Sequence, residues 1–160
     1  MYPTKNSLPE KERIQVITLL QRRLIDSIDL TLQAKQAHWN VKGPSFIALH
    51  ELFDKVSEAA EGYVDMLAER IVQLGGIALG SMESVCKKSS LPVYSVTISS
   101  GKEHVAALSH ALASYGESVR NSIDEANAMR DADTADLLTE ISRGNDKYLW
   151  FVEAHDQAVN

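Results

Sequence analysis

The stretch from Ser45 to Gly76 constrains this chain most. Its apolar residues Phe53, Ala60, Val64, Leu67, Ile71 and Leu74 recur at helical spacing, which a strand cannot gather on one side. With His50 as origin and about 100° per residue, they occupy an arc of roughly 240° to 320°. On the same scale Asp54, Asp65 and Glu69 fall at about 40°, 60° and 100°, and Glu58 and Glu61 share that arc. One long helix therefore carries a core face and, apart from it, a stripe of histidine and carboxylates.

The rest of the chain repeats the helical pattern. Ser7-Leu8-Pro9-Glu10 has the form of a capping box with proline in the first turn. Ile14, Ile17, Leu20, Leu24 and Ile28 follow in steps of three or four, predicting a first helix to about His38, stopped before Gly43-Pro44. The second helix runs from near Ser45 to Gly75-Gly76. From Ala78 to Ser99 the composition is mixed, with Pro92, several serines and the β-prone run "VYSVTI", which reads as a long connection with room for a short helix. Ser100-Gly101-Lys102-Glu103 is a second capping box and opens a third helix to about Met129. After the acidic turn "RDADTAD", a fourth places Leu137, Leu138, Ile141, Tyr148, Leu149 and Val152 on its apolar side. The fold class is all-α: a four-helix bundle whose one long connection crosses over between helices two and three.

The 160 residues suit a single domain spanning 1–160, with 1–7 as a short N-terminal tail. A net charge of -6 argues against a broad nucleic-acid-binding face and suits a surface that attracts cations. The one cysteine, Cys86, allows no internal disulfide and fits a reducing cytoplasm. No apolar run has the length of a signal-peptide core or a membrane span, so a soluble cytoplasmic protein is expected, with no membrane partner.

The stripe on the second helix admits two readings from spacing alone. The commoner is a solvated acidic face; the sharper is a metal-binding face, because His50/Asp54 and Asp65/Glu69 are each i, i+4 pairs. The centres of the two pairs lie roughly 22 Å apart at the helical rise, while metal–ligand bonds are about 2 Å. One chain cannot gather both pairs on one ion. A two-fold axis near residues 59 and 60, with the helix antiparallel to its own copy, brings them face to face. The run "SEAAEGY" supplies the small residues that close approach needs, and Gly62 in mid-helix costs roughly 1 kcal/mol relative to alanine unless packing requires it. Glu58 and Glu61 oppose such an axis unless they splay into solvent. His38, at the end of the first helix, returns towards the second through the turn "WNVKGPS" and is the third candidate from that side. This mixed nitrogen and oxygen set suits Fe(II), Mn(II) or Zn(II). Trp39 reads as a core or interface residue, and His104, His110 and His155 as surface histidines.

The runs "QAKQAHWNVKG", "FIALHELFD" and "DMLAERIVQLGGIALG", with "DADTADLL" and "DKYLWFVE" further on, closely resemble the Dps proteins, mini-ferritins that protect DNA during starvation. The resemblance spans nearly everything from the first helix to the last. It implies a ferritin-like four-helix bundle, assembled from two-fold dimers into a hollow dodecamer. It also implies ferroxidase centres between subunits, with His38, His50 and Asp54 from one chain and Asp65 and Glu69 from its partner. The larger ferritins use Glu-x-x-His motifs inside one bundle, and none occurs here.

The implied activity is oxidation of Fe(II), preferentially by hydrogen peroxide, and storage of Fe(III) mineral inside the shell. Two irons are expected per centre, the second held weakly and completed by water, with Zn or Mn as substitutes. Glu69 is the expected bridging carboxylate, and Trp39 is in place to intercept a stray oxidising equivalent. Asp136 and Glu140, with Asp131 and Asp133, match the region that lines an iron-entry pore in such shells; N-terminal capping is the plainer role for Asp131 and Asp133. Some family members bind DNA through a lysine-rich tail, but "MYPTKNS" has only Lys5. Repetition of Lys5, Lys11 and Arg13 around a dodecamer allows weak avidity. DNA protection is expected mainly through iron chemistry. The alternatives are a nucleoid-associated DNA-binding protein with a secondary metal site, and a zinc- or manganese-loaded assembly without turnover.

Overall fold

The computed structural model describes residues 1–157. Five helices follow one another: α1 (Glu10–Asn40), α2 (Phe46–Gln73), the short α3 (Met82–Lys88), α4 (Gly101–Ala128) and α5 (Ala132–Glu153). Helices α1 and α2 pack as one pair and α4 and α5 as the other, and α1·α4 and α2·α5 contacts join them. The long connection between α2 and α4 carries α3, so the expected bundle with its crossover is present. The only β-type pairing among the described residues is an isolated bridge between Lys42 and Ser100.

The core is built largely as the periodicities require. On α2, Phe53, Ala60, Leu67 and Ile71 are fully buried, as is Leu74 just beyond its end, and Leu138, Ile141 and Val152 are their counterparts on α5. Burying each large side chain contributes about 1.5–3 kcal/mol. The first helix departs from expectation. Leu20 and Leu24 are in the core, but Ile14 is 48% exposed and Ile17 and Ile28 are only half-buried; Val16, Leu19, Leu30, Ala34 and Ala37 complete the buried face instead. Ile17 and Ile28 are drawn sideways because they cover the backbone after α2, touching Gly76 and Gly80.

The two expected capping boxes have different outcomes. At α4 the Ser100 hydroxyl accepts from the Glu103 N–H while the Glu103 carboxylate accepts from the Ser100 N–H, so the box is complete. At α1 it does not form: Pro9 is the N-cap, with no side-chain cap. The Leu8 N–H is taken at 2.9 Å by the Asn6 side chain, and the Arg13 guanidinium binds the Leu8 and Leu74 carbonyls at 3.1 and 3.0 Å. The tail is thus tied to the end of α2, where the Tyr2 N–H also donates to the Gly75 carbonyl at 2.8 Å. Gly75 has φ +86°, and a Cβ there would lie 2.6 Å from the Tyr2 carbonyl oxygen, so glycine is required.

The run "VYSVTI" forms no strand, and among the described residues no strand is available to pair with it. A polar row on α1 holds the connection: Asp26 accepts from the Ser90 N–H at 2.8 Å, Asp29 from the Ser89 hydroxyl, and Gln33 donates to the Pro92 carbonyl at 3.0 Å. Arg23 neutralises buried Asp26 at 2.9 Å and donates to the Ser118 carbonyl at 2.8 Å, tying α1 to α4 as well. Val93 and Val96 are left in solvent, while Tyr94 turns inward.

His104 corrects the surface reading. It is 1% exposed, in the first turn of α4 against Phe53, with Nδ1 2.6 Å from the Tyr94 hydroxyl. His110 and His155 are exposed as expected. Burial pushes the His104 imidazole below its ordinary value; the Asn40 carbonyl and the Glu103 charge offset this only in part. The unfolded chain therefore binds this proton more readily than the native one. The resulting stability is complete above the unfolded value of about 6.5 and is lost as pH falls through the lower folded value. Thermal melts on acidification should thus show a larger fall in Tm for the wild type than for His104→Gln; equal falls would contradict this.

Candidate metal centre

The end of α1 and the start of α2 are joined by the turn 41–45, whose Gly43 takes φ +115°. This brings His38 and His50 together with ring centroids 3.7 Å apart and planes 20° from parallel. Each ring is held by the other residue's backbone. His38 Nδ1 lies 2.8 Å from the His50 carbonyl oxygen, and His50 Nδ1 lies 2.8 Å from the His38 carbonyl oxygen. A carbonyl can only accept, so both Nδ1 atoms carry hydrogen, and in the neutral rings both Nε2 atoms present lone pairs. That is the tautomer a metal-ligating imidazole needs, with its orienting bond already made.

Asp54 stands one turn beyond His50. Both imidazoles act on its charge, but its immediate partner is the Lys35 ammonium, which donates to Oδ1. That hydrogen bond is the main reason the Asp54 carboxyl sits below the usual carboxylate range; burial opposes it, and the Lys35 charge adds to the lowering. Sequence reasoning missed Lys35. It lies three residues before His38 in "QAKQAHWN", one helical turn away on α1, and that spacing was the available signal.

Asp65 and Glu69 are exposed, far along the unbroken α2. Glu69 borders a shallow groove of about 440 Å³ whose other walls are Ala68, Val72, Gln73 and Ala78, and Val72 is 58% exposed. Within one chain, a Cβ on Gly62 would meet nothing within 4 Å, so internal packing does not explain that glycine. Among the described residues of a single chain, no three His, Cys, Asp or Glu side chains converge.

The remaining candidates divide sharply. Asp131 is the N-cap of α5 and 5% exposed, accepting from the Thr134 N–H at 3.1 Å and from the buried Arg70 guanidinium at 2.8 Å. It is therefore engaged in joining α5 to α2. Asp133, Asp136 and Glu140 are exposed, and the last two lie one turn apart on α5. Trp39 is 66% exposed, too much for a core residue of one chain.

Comparison with known proteins agrees with this architecture. The family model described as Ferritin-like domain matches residues 17–160. The DNA protection during starvation protein of Agrobacterium fabrum is 44% identical over 156 residues, covering 98% of this chain and 96% of that protein. Its counterpart in Mycolicibacterium smegmatis is 37% identical over 148 residues, 92% of this chain and 80% of that one. The solved structure of Mycobacterium smegmatis Dps in its tetragonal form superposes with a TM-score of 0.94 at 35% identity, covering 99% of this chain and 96% of that chain. The fold is that of the ferritin-like proteins. Within that class, the chain belongs to the Dps family.

The carbonyl clamp makes a direct prediction about protonation. In metal-free protein at mildly alkaline pH, nitrogen NMR of labelled histidine should find Nδ1 protonated and Nε2 bare in both His38 and His50. Protonated Nε2 in either ring would contradict the tautomer assigned here.

Proposed function

We propose that this protein is a ferroxidase and iron store. It takes Fe(II) as substrate at centres shared by two subunits, oxidises it preferentially with hydrogen peroxide, and holds the Fe(III) product as mineral inside a hollow dodecamer. The observation that carries this reading is the paired imidazoles of His38 and His50, clamped through Nδ1 with Nε2 free, beside a carboxylate. Among the described residues, no other pair of histidines offers two nitrogen donors already oriented.

In this reading His38, His50 and Asp54 form one half of each centre, and Asp65 and Glu69 of the partner subunit form the other. Neutral imidazole favours Fe(II), and hard carboxylates hold both oxidation states. Five protein ligands leave water to complete a weaker second iron, with Glu69 bridging; Zn or Mn can take the same donors. Lys35 keeps the Asp54 charge compensated until a cation arrives. Two Fe(II) supply both electrons that peroxide needs to become hydroxide, so no hydroxyl radical need escape. The groove beside Glu69 and the open space at Gly62 support a partner helix over this face.

Asp133, Asp136 and Glu140 are read as the entry stripe, since carboxylate rings raise the local cation concentration. Trp39 remains a candidate for intercepting a stray oxidising equivalent. We read residues 1–160 as one domain of a cytoplasmic protein. No helix among the described residues is long and apolar enough to cross a membrane.

Two measurements test this. Singly, His38→Ala and Asp65→Ala should abolish rapid peroxide-driven Fe(II) oxidation. Co-expressed in equal amounts, half the dimers are mixed and each mixed dimer regains one of two centres, so about a quarter of wild-type activity should return. A centre within one chain would show no recovery.

The second measurement addresses the alternative, a DNA-binding protein with a secondary metal site. The tail is fastened to the end of α2 and has Lys5 as its one basic residue, too little for the several phosphate contacts that salt-resistant binding needs. A gel shift at physiological salt should show no DNA complex while the same preparation suppresses DNA cleavage by Fe(II) and peroxide. A stable complex would favour the alternative.

A further inference from the structure

Against the segments that carry the half-centre packs a pair of groups the proposed reaction does not use. Tyr94 turns inward from the connection after α3, and its hydroxyl is 2.6 Å from Nδ1 of His104. Their rings are stacked, with centroids 6.1 Å apart and planes 22° from parallel. His104 is 1% exposed, and it packs on Phe53, the residue before Asp54. Its other nitrogen, Nε2, is buried and has no well-formed hydrogen bond among the described residues. The Asn40 backbone, two residues past His38, lies near enough to the imidazole to oppose part of the effect of burial.

These contacts decide where the protons are. The Tyr94 hydroxyl meets no other hydrogen-bond partner among the described residues, and its proton needs an acceptor, so Nδ1 is read as the lone pair and Nε2 as the N–H. Tyr94 O–H therefore donates to His104 Nδ1, at the short end of the range for proton transfer to a positioned base. Burial holds the Tyr94 phenol protonated and the imidazole neutral, so the pair rests as phenol and base. If the imidazole gains a proton, the new charge lies beside the carbonyl end of α1, where a cation is favoured, and near the Glu103 carboxylate.

We infer that Tyr94 is a redox-active tyrosine with His104 as its proton acceptor, a sink for oxidising equivalents that leave the metal centre one electron at a time. The step balances. When only one Fe(II) is at hand, peroxide takes one electron and yields hydroxide and a hydroxyl radical. Tyr94 supplies one electron to that radical, which becomes hydroxide. Its O–H bond breaks, the proton forms an N–H bond at His104 Nδ1, and a neutral tyrosyl radical is left beside an imidazolium. Return of one electron, from Fe(II) arriving later, restores the phenol and moves the proton back. Among the tyrosines, Tyr115 is more deeply buried than Tyr94 but lacks a base: its hydroxyl meets Ser27 at 2.6 Å, and Ser27 already donates to the Arg23 carbonyl.

This inference rests on the ferroxidase reading only for the source of the oxidant, so the test supplies oxidant in two ways. In one arm, assembled protein receives substoichiometric Fe(II) and hydrogen peroxide and is frozen for electron paramagnetic resonance. In the other, azide radicals made by pulse radiolysis oxidise metal-free protein. Wild type should give a tyrosyl signal in both arms. Tyr94→Phe, shown folded by its thermal melt, should lose that signal, and His104→Gln, which removes the base, should shorten its lifetime several-fold. A merely structural pair would leave signal and lifetime unmoved. An unchanged signal in Tyr94→Phe, or an unchanged lifetime in His104→Gln, overturns the inference. Wild type that oxidises no Fe(II) overturns the ferroxidase reading instead, and the radiolysis arm still decides this one.

Discussion

An unbroken helix is a ruler, and α2 is the ruler on which this protein is laid out. Its 28 residues hold His50 and Asp54 near one end and Asp65 and Glu69 near the other. No adjustment of side chains closes a gap of roughly 22 Å at the helical rise. The same helix buries Phe53, Ala60, Leu67 and Ile71 against the bundle, so it cannot bend to bring its ends together without opening the core. The chemistry proposed for the chain therefore calls for two copies. What one copy holds by itself is two imidazoles fixed by each other's carbonyls, and a carboxylate neutralised by Lys35.

Buried polar groups, rather than apolar area, give the bundle its particular connection. Arg23 with Asp26 and Arg70 with Asp131 are the ion pairs in the interior, each with side chains at most 9% exposed. Removing one partner of such a pair costs about 3–5 kcal/mol, whereas replacing both by apolar residues is often neutral. Their value here is geometric. Asp26 fixes where the crossover lies along α1, and Arg70 fixes where α5 begins against α2. Tyr115 belongs to the same system, its hydroxyl satisfied by Ser27 deep between α1 and α4.

Much of the fold was legible along the chain because helices are written locally. The Ser100–Glu103 box formed as read, since all its partners lie within one turn. The Ser7–Glu10 box did not, since the N-cap position falls on Pro9, and the neighbouring backbone is held at Leu8 by Asn6 and Arg13, the latter also reaching across the bundle to Leu74. The α1 stripe was misplaced by part of a turn because Ile17 and Ile28 serve the backbone after α2, a neighbour that periodicity cannot name. His104 looked like a surface residue for a related reason. Its partners Tyr94, Phe53 and Asn40 come from three separate elements, and nothing at helical spacing announces them.

By itself the sequence determined that the chain is helical, that four long helices are joined with one crossover, and which side of the second helix carries candidate ligands. Each of these follows from relations within a few residues, where rise and turn angle are set by the backbone. Only the tertiary structure decided the tautomers of His38 and His50, the capture of Asp54 by Lys35, the engagement of Asp131 with Arg70 and the burial of His104. Those depend on which atoms meet after the chain has folded back on itself, and contact at hydrogen-bond distance is not encoded in spacing.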